Sequence, residues 1–190
     1  MSSAPTSIML PWVNDFSMWL LIVGLVWAEP ADRVLYVVGS RIVTHSDVVF
    51  ERFFDPADLS PVPAFEDPSV PLPERLRDMA VVRQLAGDTA IFRPDPAEVR
   101  ARADALLSHW PRAEDGLAAF RSWGMDETAL LGFLYSRIVA ERLVLRSLPP
   151  PRADASEAER ADWARRYAGW IAEARGRVEI RVPPVTPGEP

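Results

Sequence analysis

His45, Ser46 and Asp47 place an imidazole, a hydroxyl and a carboxylate side by side, the three groups of a nucleophilic triad. Adjacent residues cannot converge on one point, however, because a triad assembles in space from separate segments. Thr44 precedes the trio, and Thr44 with Asp47 three positions on is a helix start, so capping is the expected role. The other imidazole, His109, has no metal-type residue at a spacing that forms a recognisable site, and neither has His45. Acidic groups such as Asp154, Glu157 and Glu159, or Glu114 and Asp115, fall at expected helix starts, where negative charge meets the positive end of the dipole. The arginines at 75, 77, 83, 100 and 102 are interleaved with Asp and Glu and are expected on solvated helix faces. No glycine-rich phosphate loop is present, since the glycines are scattered singly. One cluster stands out. Trp110, Phe120, Trp123, Met125 and Phe133 fall close together and are either core packing or the lining of an apolar groove, a candidate peptide-binding site.

Composition removes further chemistry. The chain has 190 residues, 48% of them hydrophobic, and no Cys, which excludes disulfides, cysteine zinc sites, a thiol nucleophile and a lipid-modified cysteine. Its 27 Asp and Glu exceed its 21 basic residues, all Arg, for a net charge of −6, which argues against nucleic-acid binding by a basic face. No catalytic residue, metal or cofactor is expected.

These residues must be positioned by elements that the sequence also suggests. Residues 16–28 are an apolar run too short to cross a bilayer and followed at once by Glu29 and Pro30. Val26 and Ala28 suit the small-residue positions of a signal peptide cleaved after Ala28, with domains at 1–28 (signal peptide), 29–182 (folded domain) and 183–190 (loose tail). Residues 1–15 contain no Lys or Arg and do contain Asp15, so an uncleaved membrane anchor or an early start codon are the alternatives. Cleavage would leave 21 basic against 26 acidic residues, a charge of −5.

Residues 33–38 and 41–44 are β-rich about Gly39 and Ser40, which predicts a hairpin. Thr44 then opens a short helix with Val48, Val49, Phe53 and Phe54 at helical spacing. Six prolines between Pro56 and Pro73 predict a surface loop. Helices are expected from Pro73 to near Gly87, from Asp95 to Trp110, from Glu114 to Trp123 with Gly124 as terminator, and from Asp126 to about Arg146, the last dense enough to be central. A capping box at Ser156 and Glu159 opens the final helix, with Trp163, Tyr167, Trp170, Ile171 and Ala174 repeating along it. Residues 177–182 alternate charged and apolar, which predicts a strand covering Val178, Ile180 and Val182 and pairing with the hairpin. The expected fold is mainly α (α+β): about five to six helices and a small antiparallel sheet that ties the two ends together.

Residues 32–48, with their strand, tight turn, second strand and helix start at Thr44, Ser46 and Asp47, resemble the opening of the N-terminal chaperone domain of SurA-type periplasmic foldases. Residues 126–145 look like that domain's long helix. Gly39 and Ser40 stand where the family usually has Asn-Gly. Where family members insert a parvulin-type prolyl isomerase before the last helix, this chain has only residues 147–155. The resemblance implies an exported, periplasmic chaperone module that binds apolar segments of unfolded or partly folded envelope proteins, in support of outer-membrane protein assembly, without isomerase catalysis. It implies contact with the membrane only through an uncleaved leader. The rival expectation is a non-catalytic interaction or structural subunit of an envelope complex with one fixed partner.

Overall fold

The computed structural model describes residues 32–52, 60–109, 113–122 and 124–184, with the backbone alone at 113 and 114, and all of them belong to the unit that runs Asp32–Pro190. The expected signal peptide, its cleavage after Ala28, Phe53, Phe54, Trp110, Trp123 and the end of the tail lie outside the described residues.

The protein is mainly helical, with a three-stranded antiparallel sheet in the order β2-β1-β3. Strands β1 (Val34–Val38) and β2 (Arg41–Thr44) form the expected hairpin, with Val38 opposite Arg41. Gly39 takes φ 57°, open to glycine at no steric cost, and a Cβ there would lie 2.8 Å from the Gln84 side chain. Thr44 and Asp47 then cap α1 (His45–Glu51) reciprocally: the Asp47 amide donates to Thr44 Oγ1 at 3.3 Å, and the Thr44 amide to Asp47 Oδ2 at 2.8 Å. Phe50 and Val48 face inward.

From residue 60 on, the proline-rich segment is an irregular loop with Pro61, Pro63, Pro68 and Pro71 exposed, as expected, but it is anchored to the core at two points. Val62 and Phe65 are fully buried about a 3₁₀ turn at Pro63–Phe65, whose fixed φ suits prolines, while the Phe65 carbonyl accepts a 3.0 Å bond from the buried Arg75. Apolar residues three apart on such a turn share one face, and here that face points into the core.

Helices α2 (Leu72–Ala86), α3 (Pro96–Leu107), α4 (Ala113–Ser122), α5 (Glu127–Ser147) and α6 (Glu157–Gly176) follow at the expected places. Their ends carry the chemistry that defines them. Asp95 accepts from the Ala97 amide at 2.7 Å, Asp126 from Ala129 at 2.8 Å, and Ser156 and Glu159 close a capping box, each cap stabilising its helix by about 1 kcal/mol. Glu98 does not reciprocate the Asp95 cap; it pairs with Arg142 on α5. Gly124, at φ 74°, ends α4, with the Met125 amide reaching the Phe120 carbonyl at 3.0 Å.

Two apolar cores result. The first joins the sheet, Val62, Phe65, α2, α6 and the C-terminal half of α5; Trp163 and Tyr167 stack in it, centroids 5.4 Å apart. The second joins Phe50 to α3, α4 and the N-terminal half of α5 through Leu106, Phe120, Leu130, Leu134 and Ile138. Helix α5 runs through both and is central as expected.

The closing strand pairs with the hairpin but is shorter than its alternation predicts. Strand β3 is Ile180–Arg181, opposite Val38 and Val37, and the Gly39 amide donates to the Glu179 carbonyl at 2.8 Å. Helix α6 consumes the residues before it: the Arg177 amide still reaches Ala174 at 3.1 Å. Val178 and Ile180 are half-buried, whereas Val182 is 68% exposed and covers nothing.

Candidate functional site

The two cores meet at a cleft of about 340 Å³ bounded by β2, α1, α2 and α5. Leu76, Met79 and Ala80 line it from α2, Phe50 from α1, and Met125, Ala129, Gly132 and Phe133 from the start of α5 and the turn before it. Phe133 packs against both cores and stands edge-on to Phe50, centroids 4.5 Å apart.

The five sequence candidates thus divide. Met125 and Phe133 are half-buried and line the cleft. Phe120 is fully buried, 5.3 Å from the Phe50 ring, and belongs to the core beneath. Trp110 and Trp123 lie outside the described residues. A helical stripe through Val48, Val49, Phe53 and Phe54 leaves out Phe50, which lines the cleft, as do Arg41, Ile42 and Val43 of β2, none of them among the sequence candidates. Ile42 was legible in principle: it alternates with Val43, so one of the two must face away from the core, and it is 60% exposed.

Charges at the cleft are mostly engaged within the protein. Arg137, buried at the cleft floor, pairs with Glu51 and Glu66, and its Nε lies 3.5 Å from Glu141. Glu141, also buried, accepts from Arg102 at 2.7 and 2.8 Å and from Ser60 at 2.8 Å. Arg102, Arg75 and Arg83 are therefore not on solvated faces, as their interleaving with acids suggested: Arg75 and Arg83 are buried, Arg102 is largely covered, and all three hydrogen-bond inside the fold. Arg83 donates to the Gly87 carbonyl at 2.6 Å and to Asp88 at 3.5 Å, satisfying the end of α2.

The His45, Ser46 and Asp47 trio is likewise committed to the helix start. The Ser46 amide donates to Asp32 Oδ1 at 3.0 Å. Burial works against the Asp32 carboxylate, but hydrogen bonds from Thr44 and Ser46 together outweigh it and hold that group below the ordinary range. Burial raises Asp47 above it, with the nearby Asp32 charge adding and the Thr44 bonds opposing. Arg41 differs: burial lowers the proton affinity of its guanidinium, the like charge of Arg83 lowers it further, and Asp88 opposes both.

A second opening, about 720 Å³, lies between the proline-rich segment, α2 and α6. Its arginines are already held, Arg175 by a two-pronged pair to Asp78 at 2.8 and 2.5 Å and Arg160 by the Ala155 carbonyl at 2.7 Å. Burial pushes the Tyr167 hydroxyl there well above its ordinary range. Among the described residues no group of His, Asp and Glu is placed to hold a metal ion, and no helix is long and apolar enough to cross a membrane.

The walls of the cleft are mainly Met, Phe, Leu, Ile, Val and Ala, a lining whose flexible thioethers and ring edges suit contact with apolar side chains. A scan against protein-family models finds no match to this chain, and a search of curated proteins finds none either.

Proposed function

We propose that the chain is an exported, SurA-like chaperone module that shields apolar segments of unfolded or partly folded envelope proteins in the periplasm, without catalysing prolyl isomerisation. The observation that carries this reading is the open apolar cleft at the seam of the two cores, lined by Met79, Met125 and Phe133 and flanked by the exposed Ile42. Flexible thioethers and aromatic edges suit unlike sequences, because Met repacks at little cost. Export rests on Val26 and Ala28 at the end of the apolar run. The absence of catalysis rests on the link between α5 and α6, residues 148–156, too short to hold a folded isomerase.

The test is concentration-dependent suppression of aggregation of an unfolded outer-membrane protein, followed by light scattering, beside a Pro-limited peptide isomerisation assay. Suppression with no acceleration of isomerisation is expected, since the unaided process takes tens of seconds. Turnover in the second assay contradicts the non-catalytic half. Failure to suppress at several-fold molar excess transfers the assignment to a subunit with one fixed partner.

A further inference from the structure

The charged side chains of the cleft are not equivalent. Arg137 is engaged by Glu51, Glu66 and Glu141, Arg83 by Gly87 and Asp88, and Asp47 by Thr44. The Arg41 side chain makes no hydrogen bond or ion pair among the described residues, although it is half-buried and lies near Arg83. A half-buried cation with no direct ion pair, beside apolar surface and near a like charge that Asp88 offsets only in part, is complementary to an anion brought in by a ligand.

The strand that carries Arg41 restricts what the ligand is. Strand β2 is the outer strand of the sheet, bonded to β1 alone. Val38 and Arg41 flank the two-residue turn as a bonded pair, so the alternation of an antiparallel ladder turns the N–H and C=O of Ile42, opposite Val37, away from β1. Three consecutive residues, Arg41, Ile42 and Val43, line the cleft, which means that it runs along the strand's edge instead of under one face. A free edge asks for another backbone.

We propose that the cleft takes an extended, apolar polypeptide segment bearing an acidic side chain, with its backbone along the edge of β2, its apolar residues against Met79, Met125 and Phe133, and its carboxylate against Arg41. This deepens the peptide-binding reading and rests on it. The probes are end-blocked, fluorescein-labelled peptides alternating Phe or Val with Thr, carrying one central Glu or Gln, titrated into the full chain by fluorescence anisotropy. The Glu peptide is expected to bind on the order of tenfold more tightly. Arg41→Gln should abolish that preference while leaving the Gln peptide's Kd unchanged, and methylating alternate amides of the Glu peptide should eliminate its binding. Equal affinity for the two peptides, or an Arg41→Gln effect that falls on both alike, overturns the proposal. If neither peptide binds, it is also overturned: retained suppression of aggregation then leaves the chaperone reading standing with its site elsewhere, and lost suppression removes both. Sedimentation as a dimer that Gly132→Trp converts to a monomer would assign the cleft to a second copy of the chain.

Discussion

The core around the sheet and the core around α3, α4 and the start of α5 are closed by opposite means. In the first, the sealing partners come from the two ends of the folded chain: Val38 lies against Ile180, and Asp78 grips Arg175. In the second they are neighbours in sequence, from Val99 to Ile138, with Phe50 added from α1. Long-range pairing sets Val38 in register with Ile180 and packs Phe65, Trp163 and Tyr167 with the sheet, α2 and α6, whereas the local helices fill their centre with Phe120, Leu130 and Leu134 and leave Met125 and Phe133 half-buried at the boundary. At the seam α5 turns from apolar to charged. Leu134 and Ile138 face the second core, Ala140 and Val144 the first, and Arg137 and Glu141 stand between. The cleft opens where neither core finishes the seal.

That comparison predicts where the molecule breaks most easily. Arg137→Leu leaves Glu51, Glu66 and Glu141 in the interior without their shared cation, and removal of one partner of a buried pair costs about 3–5 kcal/mol. A fall in Tm on the order of 10 °C is expected by calorimetry. A change of a degree or two would mean that the seam is hydrated and the two cores independent. The end-to-end closure is weaker. Because Ile180 is half-buried on a two-residue strand, Ile180→Asp is expected to cost about 1–3 kcal/mol in denaturant unfolding, less than the loss of Arg137. A larger cost for Ile180→Asp than for Arg137→Leu would reverse the ranking of the two regions.

The helix boundaries were legible because capping is local: Thr44 with Asp47, Ser156 with Glu159, Asp95, Asp126 and Gly124 each act within a few residues of themselves. What could not be read was set by partners distant in sequence. Arg102 and Glu141 have the spacing of solvated charges, and only the meeting of α3 with α5 makes one answer the other. Val62 and Phe65 were hidden among prolines that erase helical and strand periodicity alike. Val182 continues a clean alternation, yet β1 offers an edge only as far as Val37 and Val38, so the pattern outruns its partner. The cleft was half legible. Met125 and Phe133 belong to an aromatic cluster for which sequence alone favours core over groove without deciding it, and the division follows from α4 folding back to bury Phe120 against Phe50.

Gly132 and Gly169 allow the cleft itself to be tested. Both are exposed on helices, and a Cβ on either meets nothing within 4 Å, so each accepts a larger side chain without a buried clash; replacing helical Gly also removes a destabilising residue. Gly132 lines the cleft and Gly169 lies away from it on α6. The measurement is the suppression of aggregation of an unfolded outer-membrane protein by wild type, Gly132→Trp and Gly169→Trp at equal concentration, with the Tm of each recorded. The account predicts that Gly169→Trp suppresses like wild type while Gly132→Trp, equally stable, loses most of its effect. Full suppression by Gly132→Trp would contradict the assignment of the cleft as the binding site.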